Sequence, residues 1–348
     1  MKGVILHGGH GTRLRPLTHT GPKQLLPIAN KPMSQYCIES IRDAGITDIA
    51  IIIGGLGSNK VRECYGNGEK FNVNITYIEQ DEPRGIAHAI RLCKEFVNNE
   101  KFLVFLGDNI IQKSITDFVE TFNKSDYDAI VLLCEVDNPS RFGIADVENK
   151  KIVKITEKPK TPTSNLAVTG IYLLTPLIFE VIDNLKPSWR NELEITDALD
   201  NLLKQNDNIG YETITDYWKD TGTPEDILNA NAQVLEHICK HLEGHGNIVD
   251  ISSATIPLLG NLSKPCIIGK NCKIDESASI GPNVSIGNDT IISSDVVIEN
   301  SIIMSGCKID GGLNIKDSII SANCHLHGNN KDKTKKILLL GEGTKISF

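Results

Sequence analysis

The stretch Ile268-Gly-Lys-Asn-Cys-Lys-Ile274-Asp-Glu-Ser-Ala-Ser-Ile280-Gly-Pro-Asn-Val-Ser-Ile286 carries an isoleucine at every sixth position. The same stride extends back to Leu262 and Ile256 and forward to Ile292 and Ile298. After a five-residue step it resumes at Ile303, Ile309 and Ile315, and after another at Ile320 and Leu326. Small residues (Cys272, Ala278, Val284, Val296) recur four positions after many of these aliphatics. A period of six matches neither an α-helix, which repeats about every 3.6 residues, nor a pleated strand, which repeats about every two. It matches the hexapeptide repeats of a parallel β-helix, where each short face turns one aliphatic into a narrow core. Large rings do not fit such a core. Of the eighteen aromatic residues, seventeen lie at or before Trp218, and Phe348 is the one exception.

The remaining composition bounds the function. At 348 residues, the chain is long enough for two domains at roughly 150 residues each. Charged residues make up 23% and hydrophobic ones 40%, a globular composition. Acidic residues outnumber basic ones by 44 to 36, for a net charge of −8. That balance argues against nucleic acid or an anionic membrane as partner, while leaving room for a local basic pocket. No apolar run approaches the roughly 18 residues that span a bilayer. Glycines follow Met1-Lys2 too soon for a signal peptide. Nine cysteines lie scattered from Cys37 to Cys324 with no CxxC pair, so reduced thiols in a cytoplasmic protein are expected, without disulfides or zinc.

The first part of the chain reads as alternating strands and helices. Val4-Ile5-Leu6, Asp48–Ile53 and Lys101–Leu106 are apolar strand candidates, and Asn74–Ile78 alternates. Ser34–Ala44 and Gly85–Val97 carry helical spacing. Buried strands separated by helices predict a parallel, doubly wound α/β sheet. Further strands are expected near Ala129–Glu135 and Ala167–Leu174, and helices near Pro176–Leu185, Glu194–Lys204 and Pro224–His241. The charge run Lys331–Lys336 reads as an exposed loop, followed by a last strand over Ile337–Leu340.

Directly after the first strand comes Gly8-Gly9-His10-Gly11-Thr12-Arg13-Leu14-Arg15-Pro16. Glycines there let backbone N–H groups approach phosphate oxygens, at the expected N-terminus of the next helix. No GxxxxGK[ST] loop occurs, and Gly9-x-Gly11 is followed by Leu14 where a dinucleotide site needs a small residue. In Pro22-Lys23-Gln24-Leu25-Leu26-Pro27, Lys23 follows Arg13 by ten residues and adds a second cation for a triphosphate. Asp108 stands where a buried strand ends, the usual ligand position in such sheets. Gln80, after the alternating Asn74–Ile78 stretch, carries both a donor and an acceptor.

Together these segments resemble the signature of the sugar-1-phosphate nucleotidyltransferases. The resemblance continues in order through Gln80-Asp-Glu-Pro-Arg-Gly85-Ile-Ala-His88-Ala89, Leu106-Gly107-Asp108-Asn109, Arg141-Phe-Gly143-Ile-Ala145 and Glu157-Lys158-Pro159. Thr169-Gly170-Ile171-Tyr172, Arg190–Asp197 and Trp218-Lys-Asp220-Thr-Gly222 complete it. The chain is most similar to the long form of glucose-1-phosphate thymidylyltransferases, whose tail motif is echoed by Leu340-Gly-Glu-Gly343. The fold this implies is a doubly wound, Rossmann-like α/β nucleotidyltransferase domain over residues 1–243, with 224–243 a linking helix, then a left-handed parallel β-helix over 244–348.

The resemblance implies transfer of a nucleotidyl group from dTTP or UTP to glucose-1-phosphate, giving dTDP-glucose or UDP-glucose and pyrophosphate. Gly8, Gly9, Gly11, Thr12, Arg13, Gln80, Gly85 and Asp108 would bind the nucleotide. Arg13 and Lys23 would neutralise the phosphates, and Asp108 and Asp220 would hold Mg2+. Gly143, Glu157, Lys158, Gly170, Tyr172 and Arg190 would receive the sugar phosphate, with Tyr172 and Trp218 equally readable as packing residues. His7 and His88 stand where the family usually has Ala and Gln, and both read as packing histidines with satisfied ring nitrogens. His325 and His327 carry no metal-site expectation. Two other readings are an acyltransferase in the β-helix and a catalytically silent nucleotide-sugar sensor. The open end and flat faces of the β-helix favour a homo-oligomer.

Overall fold

Nine strands form one sheet in a computed structural model that describes residues 1–9, 11–206, 208–241, 261–329 and 334–348. By packing, the chain divides into two compact units, Met1–His10 with Ser34–Asp220, and Gly11–Met33 with Thr221–Phe348. The first unit contains the nine-stranded sheet. At its centre, Lys2–Leu6 pairs in parallel with Asp48–Ile53 on one side and Phe102–Leu106 on the other, and Asn74–Glu79 extends it beyond Asp48–Ile53. These central strands are apolar because helices cover both faces: Val4, Ile5, Ile49–Ile52 and Phe102–Val104 are fully buried. Asn74–Glu79 is an edge and keeps the alternation of an edge.

The other half of the sheet departs from the parallel expectation. Leu166–Leu174 runs antiparallel to Phe102–Leu106, Gly143–Glu148 and Ala129–Glu135, with a register shift between Val168 and Tyr172. Gly143–Glu148 and Lys151–Glu157 form a hairpin turned through Asn149 and Lys150, both at positive φ. The helix expected over Gly85–Val97 is two pieces, Ile86–Arg91 and Lys94–Val97. Phe102 stacks on Phe179 at 5.4 Å, fixing the helix Leu177–Asp183 to the sheet.

The second unit holds the hexapeptide repeats. Its short strands line up as three parallel-strand sheets, as a left-handed β-helix requires. Every expected core aliphatic from Ile268 to Leu326 is buried in one cluster, together with Cys272, Ala278, Val284 and Val296. The two five-residue steps fall at corners turned by Asn300 (φ 42°) and Asp317 (φ 50°), whose side chains hydrogen-bond at 2.8 Å. Lys335–Lys336 of the charge run is a strand paired with Asn314–Ile315, not loop, while 330–333 lies outside the described residues. So do Ile256 and the expected domain boundary near 244.

One face of this β-helix is covered from outside. Ser285, Ile302 and Ile319 point away from the repeat core yet are 1% exposed or less. The helix Pro224–His241 packs on the Val284–Ile286 strand and on the Pro27–Ile28 strand of the early segment. Asn231, on that helix, accepts from Ser285 Oγ at 2.6 Å and from the Ala29 N–H at 2.9 Å. Asn30 Nδ2 donates to the Ile286 carbonyl at 2.7 Å. Replacing Asn231 with Leu removes one acceptor from two buried donors, and the expected loss is about 2–4 kcal/mol of unfolding free energy. Denaturant unfolding measures it; a loss under about 1 kcal/mol would show that Asn231 does not hold these segments together.

Candidate functional site

In an open α/β sheet, ligands bind beyond the carboxyl ends of the strands, where the strand order reverses. Here the reversal lies between Lys2–Leu6 and Phe102–Leu106, which end in register at Leu6 and Leu106. Their continuations, His7-Gly8-Gly9 and Gly107-Asp108-Asn109, leave the sheet together, joined by Gly107 N–H to Leu6 O at 3.0 Å. Gly8 and Gly9 are exposed, and a Cβ at Gly9 would meet nothing within 4 Å, so the backbone there is open to a ligand. His7 is buried against Tyr65, ring centroids 6.3 Å apart, and burial pushes its imidazole down to about 3. It packs as expected, but neither ring nitrogen has a hydrogen-bond partner among the described residues.

Two segments far apart in the sequence, each carrying an aspartate, pair beside this crevice. The short strands Asn109–Ile111 and Trp218–Asp220 pair antiparallel with Asp220 opposite Asn109, the residue that follows Asp108. Asn109, 2% exposed, organises the corner. Its Nδ2 donates to Asp108 Oδ1 at 3.1 Å, and its Oδ1 accepts from Trp218 Nε1 at 2.8 Å and from Gly170 N at 3.2 Å. Trp218 thus has its polar end satisfied, with Phe142 against its ring. Among the described residues, no group of three or more His, Cys, Asp or Glu side chains is arranged to hold a metal. Asp108 and Asp220 carry the hard oxygen donors that a divalent cation such as Mg2+ would take.

Gln80 and His88 stand at the neighbouring strand end. Gln80 Nε2 lies 2.9 Å from His88 Nδ1, and both residues are buried. Burial, then the nearby Arg84 and Arg91, lower the His88 pKa, so the ring is neutral at pH 7. Gly85 has φ +103°, and a Cβ there would meet the Leu193 carbonyl oxygen at 2.4 Å. Its glycine is therefore demanded by Leu193, whose N–H also bonds to Arg84 O.

The sugar-phosphate candidates gather around Glu157. Its carboxylate receives Arg190 Nη1 at 3.1 Å and Thr196 Oγ1 at 3.0 Å, with Lys158 Nζ at 3.3 Å. Arg190 also contacts Glu192 at 3.1 Å and Glu194 at 3.4 Å. Burial raises the Glu194 and Asp197 carboxyls, with Glu157 adding to both. Gly143 lies opposite Glu157 in the hairpin, and a Cβ there would strike Thr196 Cγ2 at 2.4 Å. Tyr172 is 3% exposed within the core cluster, and burial raises its phenol. Gly170 faces Asn109.

The cationic segment belongs to the second unit. In place of the expected helix, Gly11 (φ +57°) opens a 3₁₀ turn, Thr12–Leu14, too short for a helix dipole. Leu14 and Leu17 are buried and anchor it, leaving Thr12 and Arg13 exposed. Thr18 Oγ1 closes the loop on Gly11 O at 2.9 Å, and a Cβ at Gly11 would lie 3.4 Å from the Lys23 Cβ. Lys23 begins a second such turn, Lys23–Leu25.

Comparison with known proteins shows which family the chain belongs to. Residues 2–237 match the nucleotidyl transferase family, and residues 262–347 match the GMPPB C-terminal domain family. The chain belongs to the nucleotidyl transferase family. It is 48% identical over 251 residues to the low-salt glycan biosynthesis nucleotidyltransferase Agl11 of Haloferax volcanii, covering 72% of this chain and 70% of that one. It is 44% identical over 246 residues to a glucose-1-phosphate thymidylyltransferase of Streptomyces antibioticus, covering 70% and 69%. A solved structure of a putative glucose-1-phosphate thymidylyltransferase from Bacillus anthracis superposes with a TM-score of 0.64 at 45% identity, covering 67% of this chain and 94% of that one. These relatives place the chain among the sugar-1-phosphate nucleotidyltransferases. No helix among the described residues is long and apolar enough to cross a membrane.

Asn109 received no role from the sequence, although a polar residue beside Asp108 and directly before Ile110-Ile111 was its signal. Asn109→Leu leaves two buried donors unpaired and Asp108 without its orienting amide. The expected outcome is a loss of about 2–5 kcal/mol in unfolding free energy. The milder Asn109→Asp sets a carboxylate against Asp108, and a lower midpoint of unfolding that partly recovers with added Mg2+ is expected. A midpoint indifferent to both changes would remove Asn109 from the site.

Proposed function

We propose that this protein transfers the nucleotidyl group of dTTP, or of UTP, to glucose-1-phosphate, giving dTDP-glucose or UDP-glucose. An oxygen of the sugar phosphate attacks the α-phosphorus, a new P–O bond forms, and the bond to the β-phosphate oxygen breaks in line. The electron pair leaves with pyrophosphate. The attacking phosphate is already an anion, so no general base is needed, and positioning with charge neutralisation does the catalysis. The observation that carries this reading is the pairing of Asp220 with Asn109, the residue after Asp108, at the point where the strand order reverses.

In this reading, Gly8, Gly9, Gly11 and Thr12 offer backbone groups to the triphosphate, and Arg13 and Lys23 neutralise its charge. Gln80 reads the base, with Gly85 beside it. Asp108 and Asp220 hold Mg2+, which when bound screens the phosphate oxygens. Lys158 and Arg190 face the sugar phosphate, and Glu157, Gly143, Gly170 and Tyr172 shape the hexose pocket. Arg190 begins in contact with three carboxylates, Glu157, Glu192 and Glu194, so an incoming phosphate competes with them for its guanidinium.

A matrix of nucleoside triphosphates against sugar-1-phosphates, scored by pyrophosphate release with Mg2+, tests the reading. Turnover is expected with dTTP or UTP and glucose-1-phosphate. Arg13→Ala and Asp108→Asn should each lower kcat by about 100-fold or more. Wild-type rates in both variants, or no turnover with any pair, would sink the assignment.

A further inference from the structure

The tail motif Leu340-Gly-Glu-Gly343 has no part in the chemistry proposed above, yet it lies against the loop that carries Arg13. A Cβ at Gly341 would meet Pro16 Cβ and the Pro16 carbonyl oxygen, each at 3.2 Å. Contacts of a real Cβ are seldom that close, so a side chain here would force one of the two segments back. Both segments belong to the same compact unit, and which of them gives way depends on how each is held.

Gly341 is held by the repeats. The strand before it, Leu339–Leu340, pairs in parallel with Ile319–Ile320, and Leu340 O accepts from Ser321 N at 3.0 Å. The Gly341 carbonyl oxygen accepts from Thr344 Oγ1 at 2.7 Å and from the Cys324 thiol at 3.2 Å. Gly343 N donates to Ala322 O at 2.9 Å, and Leu338, Leu340 and Ile346 of the same coil pack into the repeat core. The loop opposite is closed on itself. Leu14 N donates to Gly11 O at 2.9 Å, Leu17 N to Leu14 O at 2.9 Å and His19 N to Pro16 O at 3.1 Å. Thr18 Oγ1 adds its bond to Gly11 O. Bonded in this way, Gly11–His19 shifts as one piece, and a push at Pro16 carries Arg13 with it.

We propose that Gly341 is a positioning residue for nucleotidyl transfer: the last coil of the β-helix is a stop against which the Arg13 loop rests, and the bare backbone at 341 sets where Arg13 stands. This rests on the reading of Arg13 as a phosphate contact. The test is steady-state kinetics of the full chain with dTTP and glucose-1-phosphate, for the wild type, G341A, G341V and I346A. A side chain at 341 should raise KM for dTTP and lower kcat, with kcat/KM down about threefold in G341A and about tenfold or more in G341V, because small displacements of a charge-neutralising group cost rate steeply. KM for glucose-1-phosphate should stay within about twofold of wild type. I346A weakens the same coil by removing a core aliphatic, without adding bulk at 341. It should lower the midpoint of unfolding yet leave KM for dTTP within about twofold of wild type. A merely structural role would make I346A and G341V alike, each losing rate only as far as it loses folded protein, with both KM values unchanged. That result overturns the proposal. So does a G341V protein with wild-type KM and kcat or, should G341V not fold, a G341A protein with wild-type KM and kcat. Absence of turnover by the wild type, or wild-type rates in R13A, would instead overturn the functional reading beneath it.

Discussion

Lys2–Leu6 and Phe102–Leu106 are apolar on both faces and pair in parallel with Leu6 level with Leu106. Because their side chains alternate between the two covered faces, a slip of one residue would invert every one of them, so the register is tightly specified. That register delivers Gly8-Gly9 and Asp108 to one place, since both strands end at the same height. The space beyond these two strand ends is the crevice in which the proposed chemistry is set. Glycines and a carboxylate are useful there only because two hydrophobic strands stop together.

Around the crevice, three polar centres, two of them buried and that of Glu157 half-buried, give direction rather than bulk stability. Asn109 ties Asp108, Trp218 and Gly170 into one corner. Glu157 gathers Arg190, Lys158 and Thr196. Gln80 and His88 hold each other. A net hydrogen bond contributes about 1 kcal/mol, but an unpaired buried donor costs more, so each centre tolerates one arrangement of its partners far better than another. Orientation of this kind suits a reaction in which phosphates must be placed and screened, with little covalent work for the protein.

The second unit shows a different logic. Its repeat core accepts aliphatics and small residues, and the one face that is covered uses the helix Pro224–His241 and the segment around Ala29 and Asn30. Arg13 and Lys23 therefore ride on a segment whose hydrophobic anchors, Leu14 and Leu17, belong to the same compact unit as the repeats. Even the tail motif takes part, since a Cβ at Gly341 would lie 3.2 Å from Pro16. The β-helix is thus a platform for the cationic segment as well as an appended domain.

Periodicity made the β-helix legible from single residues: the stride of six, its two short steps and the lack of rings each reappear as core positions and corners. The central strands were legible for the same reason, because a buried apolar run is a local signal. The antiparallel half of the sheet was not, since strands of both senses share the same composition once their faces are covered. Motif order pointed to the class of chemistry but not to its joints. That Asn109 would serve Asp108, or that His88 would meet Gln80, depends on side chains brought together by folding. The expected helix after Gly11 failed because burial of Leu14 and Leu17 and closure by Thr18 favour tight turns there. By itself the sequence determined which residues are buried, how the chain repeats and which chemical groups are available, because these follow from local pattern and side-chain type. Only the tertiary structure decided which groups face one another and in which orientation, because hydrogen bonds depend on distances of a few tenths of an ångström between segments far apart in the chain.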